Sequence, residues 1–529
     1  VGIPHPERVV GLHYFYHPAK NRLVEGIGHE GSDPDALVAC WAFQEAIGKT
    51  PIHSADAPGF VVNRFFVPWL THSVRLVEEG IADIPTVEAA ARKAYHIGMG
   101  PFELMNVTGI PIALHASTTL GNELGDFYKP PALLAEKVEE GTLWDLSGEA
   151  DSSRFNAVSA RLLGAVFQVA ANLVEEEVAT IEEIDIGARV GLRWSKGPFQ
   201  LINEVGPVEA ATMARAATEP DGLTPSAYLN SLPPAGVPIS LVSQDCRGAL
   251  SGVFIQRPDA MNALNPEVVG QFEKAVDQAL NGENEGLVIG GAGKAFVAGA
   301  DIKFFVEKLH EDNFPAIYEF TADGQVLFNR LSGGKKPVIA RVHGLSLGGG
   351  SELALACDWI VATQKGSFGF PETGIGIYPG LGGTQRLTRR VGIPLAKYLV
   401  FTGEVVNGQT AQKMGLVDRL VSFADLDRVC GELAAQGVPD PREIPQEPAE
   451  AAFEDIWQFF SRYRVDQILS GEADTEGNPV LQKAVKRIGY KSPAALKVAE
   501  ALIEEGAEVP LMVGLGMELE RLEGAFSHP

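Results

Sequence analysis

The stretch that decides the fold is Gly348-Gly349-Gly350-Ser351-Glu352, which leads directly into the apolar run Leu353-Ala354-Leu355-Ala356. It follows a strand of buried character, so the glycines stand where a helix begins. The first N–H groups of a helix have no partner within it and lie at the positive end of its dipole. The pattern therefore predicts an anion site that suits an oxygen becoming negative only during a reaction.

A second carboxylate follows further along, where Phe370-Pro371-Glu372 comes after another strand. Taken alone, a glutamate in a first helical turn is more simply a complement to the helix dipole, and a glycine run is more simply a tight turn. Two glutamates that converge on one substrate, however, can divide the duties of base and acid.

Strands and helices alternate around this stretch. Strands are predicted at 252–255 and 286–289, with a helix at 266–280 between them, and further strands at 337–342 and 359–362. Loops rich in Pro at 219–238 and 438–448 mark boundaries, and the residues after the second loop read as helices. This half of the chain is therefore expected to be an α/β domain.

The first half contains an internal repeat. Leu76-Val77-Glu78-Glu79 recurs as Leu173-Val174-Glu175-Glu176, and Gly100-Pro101-Phe102 recurs as Gly197-Pro198-Phe199, both 97 residues later. Two copies at so long a period indicate a duplicated helical unit and not a solenoid.

Before the repeat, the first 59 residues are expected to form strand, loop, helix and strand. His13 ends a strand, and Glu25 lies twelve residues on, where its carboxylate could orient the imidazole as a base. His17 competes for that role, and without context a core or surface histidine is the simpler reading of either residue.

Length and composition limit the function classes. A chain of 529 residues predicts several domains, and 68 acids against 43 Lys and Arg oppose non-specific nucleic-acid binding. The four cysteines lie far apart with no metal spacing, so we expect no disulfide framework, no metal site and a cytoplasmic location. Neither an apolar run of about 18 residues nor a leader is visible, which predicts no membrane span.

The second half resembles the crotonase (enoyl-CoA hydratase) family. The resemblance is carried by the stretches 257–264, 294–303, 348–356, 368–372 and 379–387. It implies that the N–H groups of Ala300 and Gly349 form an oxyanion hole for the thioester carbonyl, and that Glu352 and Glu372 hold the water and transfer protons. It further implies that Ala300, Asp301, Ile302, Lys303 and Gly349 bind the acyl-CoA, with Lys303 the charge nearest phosphate.

The first half resembles the 3-hydroxyacyl-CoA dehydrogenase family, through 56–64 and 98–104. The resemblance implies a catalytic His13–Glu25 pair, Asn63 as a polar partner of the substrate, and NAD as cofactor. Tyr16-His17-Pro18 departs from the family pattern, and no Gly-x-Gly-x-x-Gly follows a strand before His13. The NAD-binding residues are thus unknown and expected upstream of Val1, so NAD is expected to bind the full-length protein alone, and both ends of the chain are expected to be truncated.

Together these resemblances predict an α/β multidomain protein. Its predicted parts are an incomplete Rossmann domain (1–59), two copies of the helical dehydrogenase domain (60–150 and 151–228), a linker (229–237), and a crotonase domain of ββα spiral type (238–529). The predicted function is hydration of 2-enoyl-CoA to 3-hydroxyacyl-CoA, coupled in the full-length protein to NAD-dependent oxidation.

Two alternatives stay open: a double-bond isomerase on the same scaffold, and a non-catalytic acyl-CoA-binding subunit. The expected partners are an acyl-CoA substrate and further copies of the chain, with no nucleic acid.

Overall fold

The computed structural model of this protein describes residues 3–526 and divides into two compact units between Ile239 and Ser240. The finer domain bounds given above stay predictions.

The first unit opens with a three-stranded sheet. Its strands are Gly11–Tyr14 (β1), Leu23–Gly28 (β2) and Thr50–Ala55 (β3), in the order β1-β2-β3, and helix Pro34–Ala46 (α1) connects β2 to β3. β2 and β3 are parallel, whereas β1 is antiparallel to β2. The predicted loop between the first strand and the helix contains β2, so the sheet has a strand that the sequence did not predict. The antiparallel register places His13 directly opposite Glu25.

The rest of the first unit is helical. The helices are Val62–Glu78 (α2), Ile84–Tyr95 (α3), Pro101–Thr108 (α4), Ile110–Leu124 (α5), Ala132–Glu140 (α6), Phe155–Glu175 (α7), Ile181–Ile186 (α8), Pro198–Val205 (α9), Pro207–Thr218 (α10) and Ala227–Ser231 (α11).

The predicted duplication is visible in how α4 and α9 begin. Glu88, on α3, accepts hydrogen bonds from the N–H groups of Gly100 and Phe102, both at 2.9 Å. Asp185, on α8, accepts from Phe199 at 2.8 Å and Gln200 at 3.1 Å. Glu88 and Asp185 stand in the same repeat position, and each caps the helix that starts at the repeated Gly-Pro.

One helix is long and apolar enough to cross a membrane by length and composition, which the sequence reading does not anticipate. It runs over Ser152–Glu175, and two thirds of its apolar window is buried inside the protein. Within the first unit, α7 packs against α2, α3 and α10, so this helix serves as the central core helix of the unit.

The second unit contains two sheets. Its strands are Val242–Arg247 (β4), Leu250–Ile255 (β5), Gly286–Gly291 (β6), Ala295–Ala298 (β7), Val338–Val342 (β8), Leu345–Leu347 (β9), Trp359–Thr363 (β10), Ser367–Gly369 (β11), Val406–Asn407 (β12) and Arg419–Val421 (β13). The six-stranded sheet has the order β13-β10-β8-β6-β5-β4, and the four-stranded sheet has the order β12-β11-β9-β7.

Helices surround these sheets. They are Pro266–Asn281 (α12), Ile302–His310 (α13), Phe314–Asn329 (α14), Gly349–Ala356 (α15), Gly383–Val391 (α16), Ile393–Thr402 (α17), Gly408–Lys413 (α18), Leu426–Ala434 (α19), Glu454–Arg462 (α20), Val465–Ser470 (α21), Pro479–Ile488 (α22), Pro493–Ala507 (α23), Leu511–Glu520 (α24) and Leu522–Phe526 (α25).

The four-stranded sheet decides where the site forms. β7, β9 and β11 are parallel, so their carboxyl ends lie at one edge. Ala300 follows β7, Gly349 follows β9, and Glu372 follows β11. Residues after the carboxyl ends of parallel strands are thereby brought together from distant parts of the chain.

Candidate active sites

The second unit encloses a cavity of about 940 Å³ at this sheet edge. Ala300, Gly349, Glu352 and Glu372 all line it, so the structure brings together the four groups that the sequence singled out. Much of the remaining wall is apolar and includes Ile302, Phe305, Val306, Leu309, Phe320 and Leu522. The cavity therefore offers a few polar groups inside a largely apolar space, as ligand sites commonly do.

Glycines allow the strand–helix turn before Glu352 to pack closely. Gly348 has φ of 48°, a left-handed value that favours glycine, and a Cβ at Gly350 would lie 1.8 Å from the carbonyl oxygen of Val297. The glycine run thus permits β7 and α15 to approach, and it directs Glu352 inward from the first turn of α15.

Glu352 is held by backbone groups from a different part of the chain. Its Oε1 accepts hydrogen bonds from the N–H groups of Leu381 and Gly383, both at 2.7 Å. Burial raises the pKa of Glu352 to about 7, while those two hydrogen bonds and the charge of Arg386 oppose the rise. Glu352 is therefore poised to accept a proton near neutral pH.

Glu372 lies beside Glu352 but has fewer hydrogen-bond partners and a more strongly raised pKa. It begins the 3₁₀ turn Glu372–Ile375, and its Oε2 is buried without a hydrogen-bond partner among residues 3–526. Burial, followed by the negative charge of Glu352, raises the pKa of Glu372 well above its usual range. Two neighbouring buried carboxyls do not ionise together readily, so Glu372 keeps its proton while Glu352 is charged.

The N–H groups of Ala300 and Gly349 are neighbours on the cavity wall. Leu264 pairs with Ala300, but the two bonds of that pair are made by Gly299 and Asp301, at 2.9 and 2.7 Å. In parallel pairing the residue between them directs its own N–H the other way. Gly349 is the first residue of α15, so its N–H lacks an intrahelical partner, and a Cβ there would lie 3.6 Å from the Ala300 nitrogen.

The predicted CoA-binding residues after Ala300 differ in their contacts and in whether they line the cavity. Asp301 caps α13 through the N–H of Lys303 and forms an ion pair with Arg257 at 2.8 Å. Ile302 lines the cavity, and together with the exposed Lys303 it also lines a shallow depression along α13. Of these residues, Ile302 faces the space around the glutamates.

The first unit contains the predicted His13–Glu25 pair. Nδ1 of His13 lies 2.5 Å from Oε2 of Glu25, which is completely buried. The other oxygen of Glu25 accepts from the N–H groups of Val61, at 3.2 Å, and Val62, at 2.7 Å, at the start of α2. The imidazole packs against Phe60, with ring centroids 5.6 Å apart. Glu25 therefore fixes the imidazole and leaves Nε2 as the atom that can exchange a proton.

The competing histidine is placed elsewhere. His17 is exposed, and its Nδ1 accepts a hydrogen bond from the nearby N–H of Ala19 at 3.2 Å. Asn63 lies in the first turn of α2, directly after the two valines that hold Glu25. The structure thus favours His13 over His17. Asn63 directly follows Val61 and Val62, whose N–H groups bind Glu25, and its role toward the substrate stays a prediction.

One glycine motif of the first unit does not fit a dinucleotide. Gly26-Ile27-Gly28-His29-Glu30-Gly31 has the fingerprint spacing between β2 and α1. Its first two glycines lie inside β2, where a Cβ at Gly26 would lie 2.4 Å from the Trp41 ring, so they serve packing. The side chain of Asp33 caps the start of α1, and Asp35 adds charge there, which repels phosphate.

Two buried charged residues beside the glutamates were given no role from the sequence, although Arg386 lies in the stretch 379–387 that carries the resemblance. Glu518 is completely buried on α24, and Arg386 on α16 is 6% exposed. The signal for Glu518 was present, because it continues the buried stripe of Gly514, Leu515 and Leu522 at helical spacing. An acid on an apolar stripe indicates a buried polar contact.

Family models match successive parts of the chain. Residues 2–57 match the 3-hydroxyacyl-CoA dehydrogenase NAD binding domain, and residues 59–150 and 158–237 match the C-terminal domain of the same enzyme. Residues 246–451 match enoyl-CoA hydratase/isomerase.

Known proteins resemble part of this chain. A crotonyl-CoA hydratase of Syntrophomonas wolfei is 39% identical over 237 residues, which cover 43% of this chain and 85% of that protein. A short-chain-enoyl-CoA hydratase of Clostridium acetobutylicum is 41% identical over 35% of this chain and 71% of that protein. A solved carnitinyl-CoA dehydratase structure from Mycobacterium thermoresistibile is 22% identical, with a TM-score of 0.48, over 54% of this chain and 86% of that one.

These matches confirm the α/β multidomain fold class and the order of its parts. The cavity with two glutamates lies in the hydratase part, and the His13–Glu25 pair lies in the dehydrogenase part. The chain is an enzyme that belongs to the enoyl-CoA hydratase/isomerase (crotonase) family, with the domains of a 3-hydroxyacyl-CoA dehydrogenase ahead of its hydratase domain.

Proposed function

We propose that the second unit adds water across the double bond of a 2-enoyl-CoA to give a 3-hydroxyacyl-CoA. The observation that carries this proposal is that two buried glutamates and two adjacent N–H groups line one cavity. Glu352 is anchored there by two backbone N–H groups, and burial raises the pKa of both glutamates, that of Glu372 further because of the charge of Glu352. The product is an alcohol of the kind that the dehydrogenase domains of the first unit oxidise.

In the proposed reaction, the thioester oxygen accepts hydrogen bonds from the N–H groups of Ala300 and Gly349. Glu352 removes a proton from water, whose oxygen bonds to the β-carbon while the double-bond electrons move to the thioester oxygen as an enolate. Glu372 then supplies a proton to the α-carbon as the enolate electrons return to that carbon. The proton held by Glu352 passes to the neighbouring Glu372, which restores both carboxyls, so one water is added and no oxidant is needed. The two N–H donors act mainly on the transition state, because negative charge develops there.

The presence of both glutamates favours hydration over isomerisation. A double-bond isomerase needs a group that removes and returns a proton of the acyl chain, but no base for water. Glu352 is held by two backbone N–H groups and is already poised as a base, so it supports the activation of water.

The test uses crotonyl-CoA as substrate and follows the loss of its enoyl absorbance, with 3-enoyl-CoA conversion measured in parallel. We expect hydration by the unmodified protein and strong loss in Glu352→Gln and Glu372→Gln. Isomerisation without hydration would replace the proposal with the isomerase, and absence of both activities would leave an acyl-CoA-binding subunit.

We propose a second activity for the first unit, in which His13 accepts the hydroxyl proton of a 3-hydroxyacyl-CoA. NAD, which the matched domain implies, would supply the hydride acceptor when bound. The 2.5 Å contact with the buried Glu25 supports this role for His13. Because the motif Gly26 to Gly31 serves packing and does not hold a phosphate, the proposed step is limited to the proton on His13.

The test of that step is ¹⁵N NMR of the His13 ring. We expect proton occupancy of Nδ1 with Nε2 free in the unmodified protein, and a mixture of tautomers in Glu25→Ala. An unchanged ring spectrum in the variant would contradict the orienting role of Glu25.

We further propose a cytoplasmic location, a reaction without a metal, and self-association of the chain. All four cysteines are unpaired, which supports a cytoplasmic location, and the proposed chemistry is complete with an acyl-CoA substrate and no metal. We also propose that the protein self-associates; sedimentation of the purified chain tests this, and a monomer at all concentrations would contradict it.

A further inference from the structure

We propose that Glu518 is a positioning residue of the hydratase site, which fixes the turn that holds Glu352 and places a third acid within electrostatic reach of both glutamates. This inference rests on the proposed hydration activity. Glu518 lies outside the stretch 246–451 matched by the hydratase model and outside all the motifs quoted above.

The first argument is geometric. The N–H groups of three successive residues alternate between two carboxylates: Leu381 and Gly383 donate to Glu352, while Gly382 donates to Oε2 of Glu518 at 2.8 Å. One short turn is therefore held between the two acids. Removing the acceptor on one side frees the turn that positions the acceptor on the other.

Further contacts fix Glu518 itself. Gln325 donates to its Oε2 at 3.1 Å, and the hydroxyl of Thr384 donates to its Oε1. The hydroxyl of Tyr378 donates to its backbone oxygen, next to the same turn. The completely buried carboxyl of Glu518 thus accepts three hydrogen bonds, from Gly382, Gln325 and Thr384. These bonds hold the carboxyl in one position.

The second argument is electrostatic. The charge of Glu518 contributes to the raised pKa of Glu372, after burial and the charge of Glu352. Burial and then the charge of Glu352 raise the pKa of Glu518 itself to about 8, against its hydrogen bonds and Arg386. Glu352 is therefore the first of the three to ionise, and ionisation of Glu518 at higher pH helps Glu372 retain its proton.

The charged and titratable groups around this cluster come from several elements. They are Glu352 on α15, Glu372 in the 3₁₀ turn, Tyr378 in the loop after it, Arg386 and Arg389 on α16, and Arg521 at the end of α24. The positive charges of Arg386 and Arg389 lower the cost of burying negative charge near Glu518. Both arginines remain in the Glu518 variants, so a change in the pH profile reports the loss of the Glu518 charge.

The experiment compares pH profiles of kcat/KM for crotonyl-CoA hydration in the unmodified protein, Glu518→Gln and Glu518→Ala. The glutamine can still accept from Gly382 and donate to Thr384, so the turn is kept while the charge is lost. We expect Glu518→Gln to shift the profile to lower pH, most on its alkaline side and by about one unit, because removing a negative charge lowers the pKa of neighbouring carboxyls.

Glu518→Ala also loses the acceptors, and we expect kcat to fall about tenfold or more, with rescue of the height of the profile in Glu518→Gln. The matched control is Glu520→Gln, an exposed glutamate on the same helix, which is expected to leave both height and position unchanged. Where Glu518→Gln does not fold, Thr384→Val removes one donor from the carboxyl and is expected to shift the profile in the same direction by less.

The outcomes separate this inference from the proposed function. An unmodified protein without hydration activity would reject the proposed function. In an active protein, a Glu518→Ala variant with the kcat of the unmodified protein would reject the positioning role. A Glu518→Gln profile that shifts no more than that of Glu520→Gln would reject the electrostatic role, and either result leaves the proposed function standing.

Discussion

Glu25 in the first unit and Glu352 in the second are anchored alike but have opposite neighbours. Each is buried, and each directs one oxygen to two backbone N–H groups at the start of a helix, α2 or α16. Beyond that anchor Glu25 meets an imidazole, whereas Glu352 faces a cavity that it shares with a second carboxyl.

The difference shows that the anchor alone does not assign a chemical role. A carboxylate beside His13 orients a base, because its charge is used in one fixed contact. A carboxylate beside Glu372 becomes a base itself, because burial raises its pKa towards neutrality and its neighbour keeps the proton. The partner, and not the anchor, decides between positioning and proton transfer.

The largest expected effect of a substitution is the loss of hydration rate in Glu352→Gln. Glu352→Gln keeps the acceptor for Leu381 and Gly383 but cannot take a proton from water. We expect the rate of crotonyl-CoA hydration to fall about 10³-fold, with the affinity for substrate little changed. The measurement is kcat and KM by enoyl absorbance, with Glu520→Gln as the control that retains full activity.

A smaller loss is expected at Glu372. Glu372→Gln removes the proton donor to the α-carbon, while Glu352 and the two N–H donors remain. We expect kcat to fall about 10²-fold. Exchange of the α-hydrogen of 3-hydroxybutyryl-CoA with deuterated water should fall with it, and undiminished exchange would show that another group serves the α-carbon.

The pH dependence of hydration sharpens the same point. Because the pKa of Glu352 is raised to about 7 and the base must be ionised, kcat/KM should fall as the pH decreases through about 7. The alkaline limb should lie well above this, since Glu372 must keep its proton and its pKa is raised further. A profile flat from pH 5 to 8 would contradict the assignment of Glu352 as the base.

The smallest expected effects are on the free energy of unfolding. The loss of stability should be larger for Glu25→Ala than for Glu352→Ala. Glu25→Ala leaves the N–H groups of Val61 and Val62 without an acceptor in a buried site, at a cost of about 1–3 kcal/mol. Glu352→Ala also frees two N–H groups but removes a carboxyl that burial disfavours in its charged form, so its loss should be smaller. Hydrogen exchange over Val62–Glu78 and Gly383–Val391 measures the two effects separately, and equal losses would contradict the comparison.

Much of this site could be predicted from sequence because local rules govern its parts. The glycine run before Glu352 marks a strand–helix turn, and Glu372 follows a strand in a similar way. The duplication was equally visible, since the same Gly-Pro recurs 97 residues later, and it stands at the start of α4 and of α9. The hydratase and dehydrogenase classes followed from motifs and are confirmed by the family matches.

The rest depends on contacts between distant parts of the chain. Glu352 is held by Leu381 and Gly383, and Glu518 reaches the same turn from α24. No local pattern states which helix end a buried carboxyl will meet, because that follows from tertiary packing. The role of Lys303 stays a prediction, since the structure shows only that its side chain is exposed on α13.

The central claim is that Glu352 and Glu372 carry opposite protonation states in one cavity at neutral pH. Infrared difference spectra between the unmodified protein and each glutamine variant test it directly, because a protonated carboxyl and a carboxylate absorb at separate frequencies. At a pH slightly above 7, we expect Glu372→Gln to remove a carboxylic-acid band and Glu352→Gln to remove a carboxylate band. Loss of a carboxylate band in both variants would contradict the account.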